Sequence, residues 1–228
     1  MKQKNLLNDA QKTIKAAAQM EPYAMQEEIL QRLVKKYPDH KIKAAVETKV
    51  KTLNLYYSTY ILATSRMTEH IYSEIDDFDA RLKRGDRSLV NDIAKVKING
   101  KEYDFYSFAT KYCALHQPKK FPIYDDIVGS VLTKLFEDGN LPPYECSRKR
   151  NVKNGYSRTG FAGKLRDYDF YVSVYGRFME LYGLKDKLTY REVDNYLWGA
   201  FKLAGPKFEI EKLAPIDRSK IKEVNINK

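Results

Sequence analysis

Apolar residues recur at every third or fourth position along most of this chain, the period of an amphipathic α-helix rather than of a strand. Met25, Ile29, Leu33 and Val34 form a short stripe. Ile42, Val46, Val50, Leu53, Tyr57 and Tyr60 form a longer one, with Asp39 placed to cap it. Ile71, Ile75, Phe78 and Leu82 form a third, stopped by Gly85, and Asp86 and Ser88 open a shorter helix carrying Leu89, Val90 and Ile93. Helical spacing returns from about Asp104 to Pro118 and from Asp125 to Glu137. It returns again through Tyr168, Tyr171, Val172, Tyr175, Phe178, Met179 and Tyr182, and through Val193, Leu197, Ala200, Phe201 and Ala204. Thr189-x-x-Glu192 is a capping box for the last of these stripes, and Gly205-Pro206 closes it. The one clear change of period is KVKINGKEY, residues 95–103, where alternating apolar residues flank the tight-turn pair Asn99-Gly100. The expectation is an all-α, multi-helix fold with at most one small β-hairpin near 95–103. Residues 138–166, rich in glycine and proline, read mostly as loop. No shift of composition marks a boundary, so residues 1–205 are expected to form a single α-helical domain, as one body or two lobes, followed by a charged extension over 206–228.

Charge narrows the class of partner. Lys and Arg number 41 against 30 Asp and Glu, a net charge of +11 that points to a polyanion, although general lysine richness would give the same figure. No apolar run reaches the roughly 18 residues of a membrane-spanning helix. The longest candidate, Leu53–Ala63, is interrupted by Asn54, Ser58 and Thr59. The opening residues MKQKNLLNDAQK lack the apolar core of a secretory signal, so the expected setting is cytoplasmic and nucleoid-associated. Cys113 and Cys146 make no paired motif, and His40, His70 and His116 are scattered along the chain, which gives no zinc spacing. Neither metal nor cofactor is expected, and a monomer is favoured. Most of the 18 tyrosines are assigned to the core.

The segment with the most chemical content is FYSFATKYCALHQPKKFPIYDDIV, residues 105–128. It reads as a short turn, a short helix, a proline-bounded loop and a second helix. Phe105, Phe108, Tyr112 and Leu115 share one apolar face, and Lys111 lies at its margin. A lysine pressed against apolar side chains loses solvation, which disfavours its charged form. To act as a nucleophile near neutrality it would need a depression of roughly three units from about 10.4. The alternative is a surface lysine whose stem lies on the apolar face. Asp125, just before a helical run, is placed as an N-cap, and the same fixed carboxylate could act as a base or stabilise a cation, with Asp126 as its rival.

These residues resemble the core of the helix-hairpin-helix DNA glycosylases, in particular the 8-oxoguanine glycosylase-like branch and its small bacterial members. In that superfamily a G-h-G-x-K hairpin ends in a catalytic lysine, and a helix and proline-containing loop then lead to an aspartate. Ser107-Phe108-Ala109-Thr110-Lys111 is similar to the hairpin, with Ser107 and Ala109 standing where the family carries glycines. Phe121-Pro122-Ile123-Tyr124-Asp125 is similar to the segment ending in the aspartate, at a shorter separation than in the well-known enzymes. Val193-Asp194-Asn195-Tyr196-Leu197-Trp198 also resembles a helix of the bacterial proteins. The similarity extends over roughly residues 40–203. It implies double-stranded DNA as partner, flipping of a damaged purine such as 8-oxoguanine, attack on the sugar by Lys111 with Asp125 stabilising positive charge, and strand nicking by β-elimination. It also implies phosphate contact at Ser107 and Ala109, and a base pocket at Phe121 and Tyr124, two residues that serve equally well in a core.

Residues 147–166, SRKRNVKNGYSRTGFAGKLR, carry Arg148, Lys149, Arg150, Lys153, Arg158, Lys164 and Arg166 without an acid, interleaved with Tyr156 and Phe161. That is the composition of a phosphate-tracking loop, or of a solvated one. Lys119 and Lys120 add charge beside the central segment. Glu74, Asp76, Asp77 and Asp79 read as the solvated face of a helix. Two alternatives to the enzyme stay open: a non-catalytic module that binds nucleic acid or a protein on a glycosylase-like scaffold, and an interaction protein whose charge serves RNA or an acidic protein.

Overall fold

The computed structural model describes residues 2–144, 151–153, 156–158 and 160–204. Among them the all-α expectation holds: eleven α-helices carry the fold, with one π-helical turn and two short hairpins. None of the helices is long and apolar enough to cross a membrane. The chain forms two compact units, residues 17–124, and residues 1–16 together with 125–228.

Helix α1 (Lys2–Ala17) opens the chain. The unit 17–124 then contains α2 (Tyr23–Lys36), α3 (Lys43–Tyr56), α4 (Thr64–Glu69), the π turn His70–Glu74, α5 (Phe78–Arg84), α6 (Ser88–Ala94), β1 (Lys95–Ile98), β2 (Lys101–Asp104) and α7 (Tyr106–His116). Helices α2, α3 and α7 pack on one another, and α6 lies along α7. Their core holds Leu30, Val46, Val50, Leu53, Met67, Ile71, Ile93, Phe108 and Tyr112. The hairpin is as expected: Asn99 and Gly100 both take positive φ, 50° and 77°, and join strands in register from Lys95↔Asp104 to Ile98↔Lys101.

Three stripes behave differently from their periodicity. Met25 and Ile29 are exposed, and α2 buries Leu30 instead. The stripe ending at Tyr60 breaks after Tyr56, because Ser58 and Tyr60 take left-handed conformations that no helix continues. The stripe from Ile71 to Leu82 is two helices rather than one, broken at Asp77, which is also left-handed (φ 50°).

The second unit contains α8 (Asp126–Glu137), β3 (Asn151–Lys153), β4 (Tyr156–Arg158), α9 (Gly160–Lys164), α10 (Tyr168–Leu181) and α11 (Tyr190–Ala204). Within 138–166, read as loop, the backbone thus forms a second antiparallel hairpin and a short helix. Helix α8 packs against α9, α10 and α11. Tyrosines supply much of the interior: Tyr168, Tyr171, Tyr175 and Tyr182 are buried along α10, and Phe161 stacks on Phe136 with centroids 4.2 Å apart. The capping box forms as expected, with the Thr189 amide donating to Glu192 Oε2 at 2.7 Å and the Glu192 amide to Thr189 Oγ1 at 3.3 Å.

Gly100 isolates one backbone requirement. A Cβ there would meet nothing within 4 Å, so its substitution is opposed only by the positive φ. Gly100→Ala is expected to lower stability by about 1 kcal/mol in denaturant unfolding, without a change in helical content.

Candidate functional site

Helix α7 begins where β2 ends. Phe105 caps it, donating its amide to the Ala94 carbonyl at 2.8 Å. Lys111, in the second turn, is 7% exposed. Its Nζ donates to Ser107 Oγ, one turn earlier, at 3.0 Å and lies 5.5 Å from the centroid of the Tyr57 ring at the end of α3. The lysine therefore does not reach out from its face into water. It is folded back between a hydroxyl and an aromatic ring. The preceding residue, Thr110, is fully buried and accepts the Tyr124 amide at 3.1 Å, which straps the proline-bounded stretch onto α7.

That arrangement corrects several of the expected contacts. Ser107 and Ala109 lie in the first turn of α7, not in a hairpin. Ala109 is buried and its amide donates to the Phe105 carbonyl at 3.0 Å, so it cannot grip a phosphate, and the Ser107 hydroxyl is used by Lys111. Phe121 and Tyr124 are core residues, 1% and 2% exposed, with Tyr124 tilted against Tyr106 at 4.9 Å, so neither lines an open base pocket. Lys119 and Lys120 are exposed, and the Lys120 amine donates to the Lys83 carbonyl. Arg148, Lys149 and Arg150 lie outside the described residues. Lys153 and Arg158 are described only as backbone, in β3 and β4.

Asp125 belongs to the other unit. It caps α8, its Oδ1 accepting the Val128 amide at 2.9 Å, and Asp126 is exposed in the first turn. In the same unit, the buried Tyr175 hydroxyl has no partner among the described atoms. Burial, and then the charges of Asp194 and Asp125, push its phenol well above the usual range. Asp194, from the motif at the start of α11, is buried and paired with Arg191 at 3.1 Å.

A second polar group in the unit 17–124 was not visible in the spacing. His40 Nδ1 lies 2.6 Å from Asp79 Oδ1, and the His40 amide donates to Asp79 Oδ2 at 3.1 Å. With Nδ1 donating to the carboxylate, Nε2 is the acceptor for the Tyr112 hydroxyl at 2.8 Å. Lys49, 0% exposed, donates to the carbonyls of Tyr37 (3.2 Å) and Asp39 (2.9 Å) and sits 3.5 Å from His40 Nε2. His116 lies beside His40, ring centroids 4.9 Å apart, and is bonded to the Pro38 backbone with no partner at Nε2 among the described atoms. Two of the scattered histidines are thus neighbours, and Asp79, while half-exposed, pairs with His40; Glu74, Asp76 and Asp77 are exposed, as expected of a solvated face. Glu74 likewise binds Arg66, at 2.7 and 2.8 Å, and His70.

Burial and the Lys49 charge push His40 down to about 3 and His116 well below its usual range; burial pushes Lys49 down to about 8. The two imidazoles make the stability of the fold depend on pH. Unfolded, they take up protons below about 6.5, while the folded state resists them, so stability is full above that pH and is lost as pH falls toward 3. His116→Phe, which removes one such group and its orphaned nitrogen, is expected to flatten the loss. In urea titrations between pH 6 and 4 the slope should decrease by up to about 1.4 kcal/mol per pH unit. An unchanged slope would contradict the assignment.

The fold and these geometries define a mostly helical protein of two units, one centred on an enclosed lysine. A family model named HI_0787_N, described as an N-terminal domain, matches residues 9–120, a span that includes Lys111 and the whole His40 cluster and ends before Asp125. An uncharacterized protein of Haemophilus influenzae is 36% identical over 154 residues. That match covers 68% of this chain and 65% of the relative, so the chain spans less than two thirds of the relative's length. No solved structure matches.

Proposed function

We propose that this protein is a lysine-dependent DNA base-excision glycosylase with associated lyase activity, acting on a damaged purine such as 8-oxoguanine. The observation that carries the reading is the state of Lys111: an amine enclosed against Tyr57 and resting on a hydroxyl, in a chain with net charge +11. An amine with little water around it needs little desolvation before attack, and a hydroxyl partner holds it in place without engaging it in an ion pair. In the proposed reaction Lys111 Nζ, as the free amine, bonds to the sugar C1′. The bond to the base breaks, and the base leaves with that electron pair and takes up a proton. Opening of the sugar gives an iminium, and β-elimination then expels the 3′ phosphate.

The engaged Ala109 amide and the enclosed Phe121 and Tyr124 favour a second reading, a nucleic-acid-binding module without chemistry. Borohydride reduction separates the two. The wild type should form a covalent adduct with duplexes carrying an abasic site or 8-oxoguanine, and Lys111→Met should abolish it. Salt-sensitive DNA binding by the wild type with no adduct would leave the binding module alone.

A further inference from the structure

Residues 37–42, which join α2 to α3, are held chiefly by polar contacts. His40 is their single buried side chain; Pro38, Lys41 and Ile42 are exposed, and Tyr37 and Asp39 are half-buried. The anchors come from three helices. From α3, Lys49 Nζ donates to the carbonyls of Tyr37 and Asp39. From α5, Asp79 accepts both the His40 amide and the His40 ring, which also rests on Phe78 with centroids 4.1 Å apart. From α7, the Tyr112 hydroxyl donates to His40 Nε2 and His116 bonds to the Pro38 backbone. The helices themselves are held differently. Leu30 of α2, Val46, Val50 and Leu53 of α3 and Phe108 of α7 are buried apolar side chains, whose burial involves no titratable group.

The polar anchors tolerate only one state of protonation. A proton on His116 Nε2 would find no acceptor among the described atoms. Lys49 and His40 oppose it; Asp79 favours it, but that side chain is 42% exposed, so water screens its charge. The tilted Tyr112 ring, 5.3 Å away on the same helix, supplies no charge. A proton on His40 Nε2 would displace the Tyr112 hydrogen bond and lie 3.5 Å from the Lys49 amine, against which stand Asp39 and Asp79. Water removes these conflicts, and a hydrated imidazole takes up its proton below about 6.5. Freeing the connection exposes one buried side chain, whereas unfolding the unit exposes its whole apolar core, so the first is the cheaper way to accept the proton.

We infer that the 37–42 connection is an acid-released latch: a proton taken up by His116 detaches it from α3, α5 and α7 while the apolar packing of those helices persists. The latch makes no use of Lys111 and is independent of the excision reading.

The test follows amide hydrogen exchange in the full chain. The His40 amide, bonded to Asp79 Oδ2 at 3.1 Å, reports on the latch. The Ala109 amide, bonded to the Phe105 carbonyl inside α7, reports on the unit as a whole. With intrinsic rates divided out, His40 protection should fall about tenfold or more between pH 6 and pH 5, the effect of at least one proton. At pH 5 it should not respond to dilute urea, the mark of an opening that exposes little surface. Ala109 should be the better protected of the two and should lose protection as urea is added. His116→Phe should reduce the pH dependence at His40 by up to about tenfold per pH unit. His70→Gln, at a histidine bonded to Glu74 and the Asp92 carbonyl, should leave it unchanged. His40 protection that equals that of Ala109 and falls with urea beside it would mean that the connection opens only when the unit unfolds, which overturns the inference. So would protection at His40 that ignores pH, or a pH dependence that a folded His116→Phe retains in full. Should that variant not fold, the urea and pH dependence of the wild type still decides.

Discussion

Helix α7 is fixed by three consecutive side chains that leave it in three directions. Successive helical residues are turned by about 100°, so Thr110, Lys111 and Tyr112 cannot share a neighbour. Thr110 holds the backbone of Tyr124, Lys111 lies between Ser107 and Tyr57, and Tyr112 donates to His40. Any rotation or slide of α7 would break all three contacts at once. The position of the Lys111 amine is therefore set less by its own hydrogen bond than by the residues on either side of it, which are fully buried and have no slack.

The unit contains two enclosed lysines, and they are held in different ways. Lys49 has no exposure and is held by two backbone carbonyls that follow α2, with neutral imidazoles beside it. Removing that amine would leave carbonyls unsatisfied, so its charge is part of how the α2–α3 connection is built. Lys111 keeps a small exposed fraction and holds one hydroxyl, which water can replace at little cost.

What the sequence made legible was what neighbours along the chain decide. The Asn99-Gly100 turn, the Thr189-Glu192 box, the Asp125 cap and the span of α7 all follow from residues within a few positions of one another. What it hid depends on distant residues or on a side chain overriding periodicity. Apolar spacing runs through Tyr57 and Tyr60 as if the helix continued, yet Asn54 captures the backbone of Ile61 and ends it. His40 and His116 are 76 positions apart, so only the packing of α3, α5 and α7 makes them neighbours. The small residues of Ser107-Phe108-Ala109 suited a tight turn, but Phe105 already supplies the cap and the first helical bond forms from Ala109.

The same distinction bears on how the enclosed amine and the strained loop are related. Tyr57 closes α3, packs its ring over Lys111 and donates its hydroxyl to Glu27 at 3.1 Å, so its orientation is fixed from α2 as well as from α7. Past Tyr57 the backbone is held by Asn54, which accepts the Ile61 amide, and Ser58 and Tyr60 are left-handed. The enclosure of the amine thus comes from the Tyr57 ring, and the loop conformation from Asn54. A left-handed tyrosine costs on the order of 1–2 kcal/mol, and the Asn54 hydrogen bonds and the burial of Ile61 oppose that cost.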